Sequence, residues 1–203
     1  MTGSGSQSGK GERRASKMVA DHVASPAHGQ EAAGSYADLL TGCHNRRYLF
    51  EVLEPQLAVA RDYDFPVSLV LLQLTNYSQA RFALGEKLAS AMLQEVASAL
   101  RGCVRTSDLV VRYNDDTFGV LLLHSDENGA LTVARRLKAA LARLTGTKES
   151  PYPVIASISA VAEYIPGEDA RTAKLVSRLE RALREAAARG DGTVVRAGEL
   201  LVV

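Results

Sequence analysis

The chain has 203 residues, 46% of them hydrophobic, and a formal charge of +1 at neutral pH. That length suits one domain plus a tail, with enough chain to bury a substantial core, and the near-neutral charge excludes a broad electrostatic pull toward nucleic acid or a membrane surface. No apolar run reaches the length of a membrane span, and the first residues lack the apolar stretch of a secretory signal. Cys43 and Cys103 show no metal-ligand spacing and no partner pattern, so both read as reduced thiols of a cytoplasmic protein.

Residues 1–34 are rich in Gly, Ser and Ala and carry scattered positive charge at Arg13, Arg14 and Lys17. Such a segment buries too little apolar surface to offset its ordering entropy, so it reads as a disordered tail, with the folded domain at 35–203. Asn45 is a candidate N-cap for a helix running to about Tyr63, with Leu49, Val52, Leu53 and Leu57 on one side and a Pro55 kink within it. Val67 to Leu74 is an apolar run interrupted only by Ser68 and Gln73, the pattern of a central strand covered on both faces. About Gln79 to Arg101 predicts a helix or helix pair, with Met92, Leu93, Val96, Ala97 and Leu100 as its apolar stripe. Glu127 to Leu144 predicts an amphipathic helix, residues 145–153 a loop, Val154 to Tyr164 a strand, and Ala170 to Arg189 a helix ended by Gly190. Thr193 to Val203 has room for one or two short strands. Strands alternating with helices imply an α/β domain around one sheet.

Between the second and third of these helical stretches lies the most informative segment. Leu109 to Val111 and Phe118 to Leu123 are apolar runs around a polar turn, Asn114-Asp115-Asp116, which predicts a β-hairpin with an acidic tip. The residues alone leave two readings open there, a solvated turn or a tip that holds a metal or phosphate-linked ligand. Arg105 and Asp108 stand just upstream of the first strand. By themselves they read equally well as a local pair capping the strand entry.

The spacing of these elements resembles the GGDEF domain of diguanylate cyclases. Arg105-x-x-Asp108, then Leu109-x-x-Arg112-Tyr113, then a five-residue tip ending in Phe118 follow that family's order. Asp38-Leu39-Leu40-Thr41-Gly42-Cys43-His44-Asn45-Arg46-Arg47 is similar to its opening D-x-L-T-G-L-x-N-R-R, with Cys43 in place of Leu. The resemblance spans Tyr36 to Gly192. It implies a five-stranded, mostly antiparallel sheet ringed by helices, nucleotidyl-cyclase-like in fold.

The resemblance also implies GTP chemistry, and the chain departs from it at the positions that carry that chemistry. Phosphoryl transfer needs hard carboxylate ligands for Mg²⁺ and positioned cations. The family's metal-binding Asp on the central strand corresponds to Gln73, while its second acidic position is kept as Asp116 and the tip glutamate becomes Thr117. The tip glycines become Asn114 and Asp115. The guanine-recognising positions become Arg81 and Ser90, and the phosphate-binding Lys and Arg become Ala187 and Asp191. These departures predict a degenerate member that is not an enzyme, with no catalytic residue, bound metal or cofactor.

What the chain keeps is Arg105-x-x-Asp108, which in the family binds the product, cyclic di-GMP. Arg136, on the following helix, matches the cation that completes that site. An Arg suits the role because its planar fork pairs with phosphate and stacks on bases. The expectation is a cytoplasmic cyclic di-GMP receptor using Arg105, Asp108 and Arg136, signalling to a protein partner, without nucleic acid or membrane insertion. A bound pair of dinucleotides would be able to link two domains. The alternative is a scaffold that binds partners without nucleotide; a residual cyclase or nucleotide hydrolase ranks behind both. His44 and His124 read as surface or capping residues, Tyr113 and Phe118 as hairpin core, and the Arg178, Arg181, Arg184, Arg189 series as a solvated helix face.

Overall fold

Val67–Leu74 (β2) organises the sheet. Seven of its eight residues are buried, and alternate side chains enter two different apolar clusters, as a pleated strand covered on both sides requires. The structure is a computed structural model and describes residues 36–145, 157–169, 171–190 and 194–200. The expected N-terminal tail, most of the 145–153 loop and Asp191 lie outside the described residues.

The strands are β1 (His44–Asn45), β2, β3 (Leu109–Arg112), β4 (Thr117–Leu123), β5 (Ser157–Glu163) and β6 (Val194–Arg196). They form one sheet in the order β1-β3-β4-β2-β5-β6. β2 pairs antiparallel with β4 and β5, and β3 pairs antiparallel with β4. The two edge strands pair parallel, β1 with β3 and β6 with β5. The sheet is mostly antiparallel, as expected, but it has six strands rather than five. The extra strand is the two-residue β1, which is too short to leave a period-2 signature in the sequence.

The helices are α1 (Arg46–Tyr63), α2 (Tyr77–Leu84), α3 (Glu86–Gly102), α4 (Glu127–Thr145) and α5 (Thr172–Arg189). Asn45 caps α1 as predicted, its side chain accepting from the Tyr48 amide at 3.0 Å. α1 runs through Pro55 without ending. Of the single helix or helix pair expected after β2, the structure has the pair, divided at Gly85, whose φ of +78° suits a residue without Cβ. Helices α1 and α5 cover one face of the sheet, over Leu69, Leu71, Val111 and Leu121. Helices α2, α3 and α4 cover the other, over Val70, Leu72, Val120 and Leu122. The result is three layers with a core on each side of the sheet.

Gly119 lets β3 and β4 close. A Cβ there would stand 2.9 Å from Val111 Cγ2 and 3.5 Å from Leu71 Cδ2. The hairpin it belongs to has two ends. The Asn114-Asp115-Asp116 tip is at one, and Asp108 and Leu123 meet at the other.

Candidate functional site

The open end of the hairpin carries a cleft of about 620 Å³. Three pieces of chain build it. The segment from α3 to β3 supplies Arg105 and Asp108, the end of β4 supplies Leu122 and Leu123, and α4 supplies Arg136 and Arg143. The three residues predicted from the sequence, Arg105, Asp108 and Arg136, therefore line one cavity, although up to 31 positions separate them in the chain. Its volume lies within the range usual for small-molecule sites.

Arg105 and Asp108 close a local turn. The Asp108 amide donates to the Arg105 carbonyl at 3.0 Å, and the Arg105 amide donates to Asp108 Oδ2 at 2.9 Å. The local-pair reading was thus correct for the backbone. It does not use the Arg105 guanidinium, which is exposed and pairs with no carboxylate within 4.0 Å among the described residues. Burial raises the Asp108 carboxyl above the ordinary aspartate value, opposed by the Arg105 amide and charge, the Leu123 backbone and the Arg136 charge. Asp108 thus feels both cations predicted to share its ligand. Arg143 was missed by the sequence reading, although it follows Arg136 by two helical turns on the same helix.

The other end of the hairpin is a shallower crevice of about 450 Å³, lined by Tyr77, Ser78, Arg81 and the tip residues Asn114, Asp115 and Asp116. Here the resemblance implies a divalent metal held by carboxylates at positions 73 and 116. Instead, Gln73 Nε2 donates to Asp116 Oδ2 at 3.0 Å, and Thr117 Oγ1 donates to Asp116 Oδ1 at 2.7 Å. Both oxygens of the single carboxylate already accept from neutral donors. No group of three His, Cys, Asp or Glu side chains with metal-binding geometry occurs among the described residues. These side chains do not fit a two-carboxylate metal site. Arg112 braces the tip from below, donating to the Asn114 carbonyl at 2.6 Å and to the Asp115 carbonyl.

Other sequence expectations resolve as follows. Tyr113 and Phe118 are buried hairpin core. The Tyr113 hydroxyl donates to Glu180 Oε1 at 2.5 Å and accepts from Arg46 at 3.0 Å, tying β3 to α1 and α5. Burial, then Glu180, holds its hydroxyl well above the ordinary tyrosine value. His44 stacks on Tyr48 at 4.1 Å and His124 packs on Phe65 at 4.1 Å, and burial lowers both imidazoles. The solvated arginine face on α5 needs correction at one position. Arg178 is 6% exposed and its guanidinium grips Asp169 with contacts of 2.6 and 3.1 Å. Spacing along the helix does not reveal this, because the partner belongs to the preceding loop.

Fold and site together define a three-layer α/β domain of the nucleotidyl-cyclase-like class, with an arginine-lined cleft at one end of its hairpin. The family model described as "Diguanylate cyclase, GGDEF domain" matches residues 35–193. The chain belongs to the GGDEF domain family. Among curated relatives it is 29% identical over 165 residues to the probable diguanylate cyclase DgcT of Escherichia coli, covering 79% of this chain and 35% of that protein. It is 28% identical over 165 residues to the response regulator PleD of Caulobacter vibrioides, covering 78% of this chain and 35% of that protein. The chain thus spans about a third of the length of these relatives.

Among solved structures, the GGDEF domain of DgcB from Caulobacter crescentus in complex with c-di-GMP superimposes with a TM-score of 0.70 at 20% identity, covering 80% of this chain and 93% of that one. The diguanylate cyclase SiaD of Pseudomonas aeruginosa, in complex with its activator SiaC, gives a TM-score of 0.74 at 23% identity, covering 93% and 70%. These likenesses establish the fold. The expectation that the chain is not an enzyme is corrected by the family result. The matching family is one of enzymes, and curated relatives are named diguanylate cyclases. Loss of individual family residues, from which that expectation was drawn, does not remove the chain from an enzyme family.

Proposed function

We propose that this domain is a cyclic di-GMP receptor that holds the dinucleotide in the cleft at Arg105, Asp108 and Arg136 and signals to a protein partner in the cytoplasm. The observation that carries the reading is the convergence of the three side chains on one cavity of about 620 Å³. The two guanidinium groups are free of carboxylate partners within 4.0 Å among the described residues, so phosphate need not displace an existing ion pair. Asp108 offers the acceptor that guanine N–H groups require. Structural relatives solved with c-di-GMP and with an activator protein are consistent with both halves of the reading. A stacked pair of dinucleotides in the cleft would join two domains.

Calorimetric titration of cyclic di-GMP into the purified protein and into Arg105→Ala tests it. Binding at micromolar concentration or tighter, lost in the variant, is the expected result. Absence of heat in the parent protein refutes the receptor reading. A second reading, partner binding without nucleotide, draws on Phe82, which is 94% exposed on α2 beside the tip crevice. It predicts a complex that survives Arg105→Ala and is lost in Phe82→Ser.

A further inference from the structure

Helix α4 turns one continuous face to the cleft, through Thr132, Arg136, Ala139, Ala140 and Arg143. Apart from the adjacent Ala139 and Ala140, successive positions are three or four residues apart, so they form a single stripe along the helix. Its two cations are seven residues apart, about 10.5 Å along the axis. Only alanines line the cleft between them, so that stretch of wall ends at Cβ and is smooth and apolar. Arg136 acts on the Asp108 carboxyl together with Arg105, and Arg143 stands two helical turns further along α4. The cleft therefore has two poles. Arg105, Asp108 and Arg136 form one. Arg143 stands alone at the other, with no carboxylate within 4.0 Å among the described residues.

A cation in the last turn of a helix also favours the helix dipole. That role would be served equally by a side chain turned to open solvent. It does not require Arg143 to share a concave wall with Arg136, nor the intervening residues to be trimmed to alanine.

We propose that Arg143 is a second phosphate-binding group, so that the site extends along α4 and selects a nucleotide bearing two separated phosphates over one bearing a single phosphate. This rests on the reading that the cleft takes a guanine dinucleotide. Arg105 and Arg136 receive the first phosphate beside Asp108. The alanine strip lies against the sugar or base between. Arg143 receives the second phosphate through its planar fork.

The test is titration of cyclic di-GMP and of GMP into the parent protein, Arg143→Ala, Arg143→Lys and Arg135→Ala. Arg135 is exposed on the same helix and does not line the cleft, so its variant controls for net charge. Loss of a charge-assisted phosphate contact is expected to weaken cyclic di-GMP binding by about tenfold or more in Arg143→Ala, with GMP changed by less than about twofold. Arg143→Lys is expected to recover part of the loss, because the charge remains without the fork, and Arg135→Ala to bind as the parent does. The melting temperature of each ligand-free variant separates a helix-end contribution from a ligand contact. If Arg143→Ala binds cyclic di-GMP as the parent does while Arg105→Ala does not, the extension is refuted and the three-residue site stands. Equal weakening for GMP and cyclic di-GMP refutes the selectivity. If the parent binds neither, the receptor reading falls and this inference falls with it.

Discussion

Asp169 and Arg178 form the one buried ion pair among the described residues, and replacing Asp169 by Ala gives a sharp test of how the β5–α5 connection is held. The side chains are 0% and 7% exposed. Arg178 donates to Asp169 at 3.1 Å through Nε and at 2.6 Å through a terminal nitrogen, and to the Glu163 carbonyl at 2.6 Å. The Ile165 amide also donates to Asp169, at 2.9 Å. Removing the carboxylate deletes two charge-assisted hydrogen bonds, each worth roughly 1.5–3 kcal/mol, and strands one backbone amide at a further cost of about 1 kcal/mol. Arg178 keeps the Glu163 carbonyl and gains some water, which brings the expected loss to about 4 kcal/mol, within the range for orphaning one member of a buried pair. That is a large share of the roughly 5–15 kcal/mol that holds a domain together.

Urea unfolding followed by circular dichroism should show a lower midpoint with an unchanged slope. The double variant Asp169→Leu/Arg178→Met removes both charges. It should lose only about 1–2 kcal/mol, most of it from the stranded Ile165 amide. A loss below about 1 kcal/mol in Asp169→Ala, or a double variant as unstable as the single-variant losses combined, would overturn the assignment of this pair as a coupled clamp.

Three further outcomes are expected. Gly119→Ala should lose about 1–3 kcal/mol, because its Cβ would meet Val111 Cγ2 at 2.9 Å in a close-packed layer; chemical denaturation reads this directly. Asp108→Asn should separate stability from binding. Burial raises the Asp108 carboxyl in the folded state, so its contribution to stability is fullest below the ordinary aspartate value and is lost as pH rises through the raised one. The variant should therefore melt higher than the parent at neutral pH, lose that advantage in acid, and bind cyclic di-GMP more weakly; equal melting at all pH values contradicts the electrostatic reading. Gln73→Asp places a second carboxylate beside Asp116, whose Oδ2 now accepts from Gln73 at 3.0 Å. Added Mg²⁺ should raise the melting temperature of that variant and leave the parent unchanged, a difference that thermal shift measures.

Much of the architecture was legible because local periodicity encodes which faces are buried. The near-continuous apolar run at Val67–Leu74 marked the central strand, and the stripe at Met92, Leu93, Val96 and Leu100 marked the face of α3. Asn45 declared its helix start by its own capping chemistry. The two-residue β1 left no such trace, whereas β6 falls in the segment from Thr193 where short strands were expected. β1 is held by its pairing with β3, a relation between positions 44 and 111 that no short window contains.

The candidate site divides along the same line. Arg105 and Asp108 are three residues apart, and their turn is written in the local sequence. Arg136 entered through the resemblance, since nothing in its helix distinguishes it from Arg135. The sequence by itself determined the longer strands, the helix faces, the hairpin and the family. Tertiary structure alone decided that Arg136 and Arg143 share a cleft with Asp108, that Gln73 donates to Asp116, and that Arg178 leaves the solvated face to meet Asp169. Each of these joins polar or charged side chains from separate elements. Their distances depend on how the helices dock on the sheet, and that docking is set by the summed packing of two cores.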